Sequence, residues 1–260
     1  MYSISVITIC FNNLQELINT SDSVDTQIHQ PFEHLIIDGS TNPDIKNYLQ
    51  QNIQPSYRRW ICEPDNGISD AFNKGIQNAK GDIVVMLNSG DTFFNDDIIK
   101  IVTEKFEQNP VLEWLHGKYS AQRQDTWVTL GKPFEKKKLY RGMRTVCHQT
   151  MFVKKKLHTK HGLYNVEQKL AMDYDFLCRI SDEPFVFLPI TMIRYAPGGK
   201  SSSDYLSSLK RSKEIYIKYF GWNLKLSLWQ GRLKLLYYLL QSPIGNFLYT
   251  IKRKLNLENM

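Results

Sequence analysis

The stretch from Glu63 to Asp91, EPDNGISDAFNKGIQNAKGDIVVMLNSGD, decides how this chain folds. It divides into a turn over Glu63–Gly67, a helix over Ile68–Ala79, a stop at Lys80-Gly81 and a strand over Ile83–Leu87. A polar turn, Asn88-Ser89-Gly90-Asp91, closes it. Ile68, Ala71, Phe72, Gly75, Ile76 and Ala79 fall on one helical face, with Asp70, Asn73 and Lys74 off it, free to face a cleft. Ile-Val-Val-Met-Leu is too short for a helix and fits a strand buried on both sides, as in a parallel sheet. The turn after such a strand lies where open α/β sheets bind ligands.

Working outward, Ser3–Ile9 is an apolar strand, followed by the loop Phe11-Asn12-Asn13 and a mostly polar helix to Gln27. Phe32–Ile37 is a second strand, ending in Asp38-Gly39-Ser40-Thr41. Pro43–Asn52 forms a helix with proline in its first turn, and Arg59–Cys62 a third strand. Asn95–Gln108 is a helix capped by Asn95 and stopped by Pro110. This βαβαβαβα order predicts an α/β fold with a doubly wound, mostly parallel sheet. Beyond it, Leu112–Tyr119, Thr126–Leu130, Val146–Val153, Phe185–Leu188 and Thr191–Tyr195 read as strands, and Met172–Ile180 as a helix.

The 260 residues suit one large domain with an appendage. The net charge of +7 hides an asymmetry, near −8 over residues 1–110 and +15 over 111–260. An acidic half suits a metal site and a basic half an anionic partner or membrane surface. Cys10, Cys62, Cys147 and Cys178 are scattered and give no zinc or disulfide framework. The N-terminus reads as a strand rather than a signal peptide, and no stretch reaches the ~20 apolar residues of a membrane span, so the cytosol is the default compartment. Asn223–Gln241 carries a narrow polar stripe (Asn223, Ser227, Gln230, Lys234, Gln241) on an otherwise mostly apolar helix. With Trp222, Trp229, Tyr237, Tyr238 and Lys252-Arg253-Lys254, this tail suits peripheral contact with the inner face of the cell membrane. It equally suits packing on its own domain or on a second copy.

Four stretches together resemble family 2 of the inverting glycosyltransferases with the GT-A fold. They are Ser5–Asn12, Ile36–Thr41, Glu63–Asp91 and Met172–Arg179. They occur in the family's order, with the nearest resemblance to bacterial enzymes that build capsule, exopolysaccharide or lipopolysaccharide chains. That branch also has His-Gln and a late Gly-Gly-x-Ser, matched here by His148-Gln149 and Gly198–Ser201. The resemblance implies one transferase domain over 1–220, with a nucleotide-sugar half (1–110) and an acceptor half (111–220), and a helical tail over 221–260.

The resemblance also assigns roles. Asp38 would accept the uracil N3–H of a UDP-sugar, Thr8 and Asn12 would line the base and ribose, and Asp65, Asp70, Asn73 and Asn88 would border the nucleotide. On the residues alone, Asp38-Gly-Ser is a turn, Asp65 a cap, and Asp70 and Asn73 a solvated face. Asn88–Asp91 matches the Asp-x-Asp-Asp metal motif in part and leaves Asp91 as ligand to a divalent Mn or Mg. Asp173 matches the general base, with Met172 where Glu is usual. Asp175 is the alternative base, although an ion pair with Arg179 would occupy it. His148 would contact acceptor or pyrophosphate, or be structural. His158 and His161, among lysines, read as exposed. Gly198–Ser201 would close over phosphate or simply turn.

The implied reaction moves a sugar from a UDP-sugar to a hydroxyl of a surface glycan, and an acceptor on a lipid pyrophosphate would suit the basic half. A nucleotidyltransferase would carry a Gly-rich basic loop where this chain has Cys-Phe-Asn-Asn. The basic stretch lacks the interleaved aromatics of a nucleic-acid binder. A transferase fold retained as a scaffold is the remaining alternative.

Overall fold

The computed structural model describes residues 2–123, 126–196, 204–242 and 245. Its elements run β1 (Ile4–Cys10), α1 (Leu14–Asp25), β2 (Glu33–Asp38), α2 (Asp44–Gln51), β3 (Arg58–Cys62), α3 (Ile68–Asn78), β4 (Ile83–Met86), β5 (Thr92–Phe93) and α4 (Ile98–Gln108). Then come β6 (Trp114–Arg123), β7 (Thr126–Leu130), β8 (Phe152–Lys154), α5 (Lys156–His161), α6 (Met172–Arg179), β9 (Phe185–Tyr195), α7 (Tyr205–Phe220) and α8 (Leu224–Gln241). Short 3-10 turns cover Lys136–Arg141 and His148–Thr150.

One sheet joins all nine strands in the order β3-β2-β1-β4-β8-β6-β9-β5, with β7 added to β6. The strands β3, β2, β1 and β4 are parallel, β8 is antiparallel to both neighbours, and β9 is parallel to β6. The chain steps outward from β1 to β3 and then returns to the other side of β1 as β4. That reversal makes the fold doubly wound and mostly parallel. Alternate residues of β1 serve its two faces, as a period of two demands. Ile7 and Ile9 join Phe72 and Ile76 of α3, while Ile4 and Val6 join Ile98, Val102 and Phe106 of α4. Gly75 lets α3 lie close on the sheet, because a methyl there would collide with Ile7.

Several expectations change. The helix predicted from Asn95 starts at Ile98, with Asp97 at the cap position making no side-chain bond. Gln27 supplies the missing cap, accepting from Ile99 N–H at 3.1 Å and donating to the Asn95 carbonyl at 2.8 Å. Val146–Val153 is not one strand. The Thr150 hydroxyl donates to the Cys147 carbonyl at 2.8 Å and Met151 N–H to the His148 carbonyl, which closes a turn before β8. Phe185–Leu188 and Thr191–Tyr195 fuse into β9, whose register shifts opposite Gly117 and Lys118 accommodate Pro189. His158 is buried rather than exposed, its ring stacked 4.3 Å from that of Phe176. His161 is half-buried and paired with Glu183.

In α8, Asn223 caps the helix by accepting from Leu226 N–H at 2.8 Å. The expected orientation is partly reversed: polar Gln230 turns inward with Leu226 and Leu233, whereas Leu224, Leu228, Leu235 and Leu240 are exposed. Among the described residues no helix is long and apolar enough to cross a membrane. Lys252-Arg253-Lys254 lies outside the described residues.

His34, His116 and His158 are buried as neutral rings. Burial lowers all three, His116 to about 4 and His158 to about 3, and His34, also facing Arg58, well below its usual value. A depressed folded-state pKa gives stability that is full above about pH 6.5 and lost as pH falls toward the folded values. The melting temperature should therefore fall from pH 7 to pH 5, and fall less in His158→Phe, which keeps the stack. Equal pH slopes for the two proteins would refute this.

Candidate active site

The parallel strands β1, β2 and β4 end at one edge of the sheet, and the candidate residues gather there. Asp38 closes β2, and its Oδ1 accepts from Ser40 N–H at 3.0 Å. Buried Cys10 and half-buried Cys62 flank it. Burial first, then the Asp38 charge, raises both thiols, Cys62 to about 11. Asn12 sits in the left-handed region at φ 53°, which asparagine tolerates. Its Oδ1 accepts from Thr41 N–H at 3.0 Å, which ties the loop after β1 to the loop after β2. Asp65 Oδ1 accepts from Gly67 N–H at 2.8 Å, and its carboxylate lies against Gly39, where any side chain would collide with it. Asp70 accepts from Asn66 N–H at 2.9 Å and lies near Lys74. Buried Asp38, with Asn12, Asp65 and Asp70, thus clusters beyond the ends of β1 and β2 and at the start of α3.

Two other candidates do not join this cluster. Thr8 is fully buried, its hydroxyl 2.9 Å from His34 Nε2. His34 Nδ1 accepts from Arg58, so Nε2 carries the proton and donates to Thr8. Asn73 is buried, donating to the Tyr164 carbonyl at 2.8 Å and accepting from Tyr164 N–H at 2.9 Å. It fastens α3 to the segment before α6.

The second cluster starts just past β4. Asn88 Nδ2 lies 3.5 Å from His148 Nε2, and His148 Nδ1 lies 3.7 Å from Asp173 Oδ2. Burial outweighs the Asp173 charge and lowers the His148 pKa, so the ring is neutral at pH 7. Asp173 opens α6, its Oδ1 accepting from Tyr174 N–H at 2.8 Å while Oδ2 faces the histidine. Ala171, just before α6, is left-handed at φ 57°, a strained conformation for alanine. Its carbonyl accepts from Gln168 and from Asp175 N–H, which holds that geometry. Asp175 is buried and engaged, accepting from Arg179 at 3.0 Å and from the Tyr219 hydroxyl at 2.9 Å. Of the two aspartates, Asp173 is the one half-open to solvent.

Asp91 is buried. Its Oδ1 accepts from Ala196 N–H at 2.8 Å and its Oδ2 from Gln149 Nε2 at 2.9 Å. Burial raises it to about 7 against those two bonds. Among the described residues no group of three His, Cys, Asp or Glu is arranged to hold a metal ion. The buried oxygens without a partner nearby, Asn88 Oδ1 and Ser89 Oγ, are neutral. This donor set does not fit a resident divalent ion held by Asp91. Gly198–Ser201 lies outside the described residues.

Residues 5–162 match the profile of glycosyl transferase family 2. An uncharacterized glycosyltransferase of Mycobacterium tuberculosis is 34% identical over 198 residues, 73% of this chain and 72% of that protein. The chain belongs to glycosyl transferase family 2. Its fold matches solved GT-A glycosyltransferases. Mannosyltransferase PcManGT from Pyrobaculum calidifontis, solved with GDP-Man and Mn2+, superposes with a TM-score of 0.64 at 13% identity, covering 96% of this chain and 79% of that one. S. aureus TarS gives 0.63 at 14% identity over 94% of this chain, which spans 45% of the TarS chain. TarS 1-349 in complex with UDP-GlcNAc gives 0.60 at 15% identity, covering 84% and 67%.

Within this family 2 glycosyltransferase, the Gln149–Asp91 bond was not readable, because nothing local in His-Gln names its partner. Nor was the wall that Arg141 and Arg144 give to a cavity beside Asp173, although the basic stretch holding them was visible. Replacing Asp91 by alanine leaves Gln149 Nε2 and Ala196 N–H without their acceptor and should cost about 1–3 kcal/mol in urea unfolding with EDTA present. Mn2+ without nucleotide should leave the wild-type melting temperature unchanged. A rise of several degrees on Mn2+ alone would reveal a metal centre and overturn the structural role.

Proposed function

We propose that the chain catalyses inverting transfer of a hexosyl group from a UDP-sugar to a hydroxyl of a surface-polysaccharide acceptor, with Asp173 as general base. The observation that carries the proposal is the Asn88–His148–Asp173 line, which starts at the sheet edge that also bears Asp38 and Asn12. With strands ~4.8 Å apart, Asp38 on β2 and Asn88 after β4 stand about 10 Å apart, two strand steps. A nucleoside lying on Asp38, Asn12 and Asp65 would direct its diphosphate toward Asn88. TarS, solved with UDP-GlcNAc, shares the fold and supports a nucleotide-sugar donor.

In this mechanism the acceptor hydroxyl sits at the Asp173 carboxylate and gives it a proton while its oxygen attacks the anomeric carbon. The donor's bond to the diphosphate breaks in the same displacement, so the configuration inverts without a covalent intermediate. Neutral His148 turns one ring nitrogen toward Asp173 Oδ2 at 3.7 Å and the other toward Asn88, while Tyr174 N–H, donating to Oδ1, orients the carboxylate. A cationic imidazole would lower the basicity of Asp173; the desolvated, neutral ring avoids that. No step is assigned to a metal, because Asp91 is already engaged.

Thermal stability against UDP, GDP, dTDP, CMP and ATP, with and without Mn2+ or Mg2+, tests the donor. A ligand at 100 times its dissociation constant stabilises the native state by about 2.7 kcal/mol. UDP should raise the melting temperature, Asp38→Ala should abolish the rise, and Asp173→Asn should keep it while losing at least ~100-fold in kcat. A rise with ATP alone would favour nucleotidyl transfer; no rise with any of the nucleotides would favour the scaffold.

The same proposal includes peripheral contact with the inner face of the membrane. It rests on the exposed Trp222, Leu224, Leu228, Leu235, Leu236, Tyr238 and Leu240 on or beside α8. The full chain should co-sediment with anionic vesicles, and Leu228→Ser with Leu235→Ser should weaken that several-fold. Vesicle binding unaffected by the pair of changes would exclude this face.

A further inference from the structure

Asp173 borders a cavity of about 240 Å³ between the Arg141–Arg144 segment, α7 and α8. Arg141 and Arg144 both line it, and neither has a carboxylate partner among the described residues. Both guanidinium groups lie over the indole of Trp229, at 5.1 and 5.7 Å from the ring centre, and Arg232 approaches the same ring at 5.4 Å. Three cations on one indole repel one another, and none of the three is in an ion pair with a carboxylate among the described residues. Packing on an aromatic face leaves the in-plane N–H groups of a guanidinium available for a forked, bidentate anion. Arg141 gives only Nε to the Tyr140 hydroxyl at 3.0 Å, and Arg144 only a long 3.5 Å contact to the Tyr205 hydroxyl.

A second observation points the same way. Gln230 is 6% exposed and lines this cavity, yet its Oε1 has no hydrogen-bond partner among the described residues. Trp229 Nε1, on the adjoining groove that Arg141 and Arg144 also line, is buried without a partner too. Buried polar atoms are nearly always satisfied, so Gln230 Oε1 calls for a ligand that offers a donor. A sugar hydroxyl can give its proton to Gln230.

We infer that this cavity binds an acceptor sugar carrying a phosphate ester, its phosphate on Arg141 and Arg144 and its attacking hydroxyl at Asp173. The inference rests on the transferase function proposed above and specifies the acceptor class. A phosphate is doubly suited here, because its oxygens match the fork of each guanidinium and its charge relieves the repulsion around Trp229.

Titration calorimetry on the full chain tests it with four probes: glucose 1-phosphate, citronellyl glucosyl phosphate, citronellyl glucoside and inorganic phosphate. Both sugar phosphates should bind at least tenfold tighter than the glucoside and than inorganic phosphate. In the Arg141→Gln/Arg144→Gln double variant that preference should shrink below twofold, with UDP affinity kept within twofold of wild type. Tighter binding of the citronellyl phosphate than of glucose 1-phosphate identifies a lipid-borne phosphate; equal binding identifies a soluble sugar phosphate. The inference is overturned if the glucoside or inorganic phosphate matches the sugar phosphates. It is also overturned if UDP affinity falls with the arginines, which would assign them to the donor. Wild-type protein that ignores UDP yet keeps the phosphate preference would count against the transfer reaction alone.

Discussion

Three segments far apart in sequence meet on one buried carboxylate. Asp91 follows β4, Gln149 lies in the turn before β8, and Ala196 follows β9; both Asp91 oxygens are needed to join them. Thr20 of α1 adds a fourth tie, its hydroxyl donating to the Asp91 carbonyl at 2.8 Å. Since His148 is the immediate neighbour of Gln149 and Asn88 lies three residues before Asp91, this junction sets where both can stand. The distances along Asn88, His148 and Asp173 are therefore consequences of a hydrogen-bonded core rather than of loop preference. A carboxylate this deeply buried demands such partners, and the protein uses the demand to lock its cleft.

Electrostatics on the two sides of the cleft differ in kind. Asp38, Asp65 and Asp70 each accept from a backbone N–H group. Around His148 the neighbours are aromatic and neutral: the Phe72 ring lies 5.6 Å from that of His148, and Tyr164 packs on Phe72 in turn. Low polarity keeps the imidazole uncharged and leaves Asp173 with a neutral partner. Asp175, two residues on, has the opposite surroundings, with Arg179, Tyr219 and Lys218 around it. Two aspartates in one helical turn thus have different duties, a distinction set by tertiary neighbours.

The sequence made the first half of the fold legible because its signals are local. Strand runs, the Gly81 stop and the acidic strand end at Asp38 each depend on residues within a few positions. The Asp38-Gly39-Ser40-Thr41 turn after β2 could be anticipated for the same reason. Partner choice could not. Thr8 turns into the sheet because His34 waits there on the neighbouring strand, and Asn73 pairs with Tyr164, ninety-one residues away. The inward Gln230 also escaped periodicity, which assigns apolar residues to the inside and has no term for a polar cavity wall. His158 looked exposed among lysines until Phe176 supplied a ring to stack on.

The left-handed backbone at Ala171 gives the protein a sensitivity that its active-site side chains do not. An L-residue held in that conformation carries about 1–2 kcal/mol of strain, and here the strain borders the first turn of the helix that contains Asp173. Glycine would release it and widen the range of directions the carboxylate samples. Valine or isoleucine, with a branched Cβ, would be driven out of the region and would tilt the helix start. Natural variation at this one position could therefore retune the aim of an unchanged aspartate, a route to new acceptors that leaves every contacting residue in place.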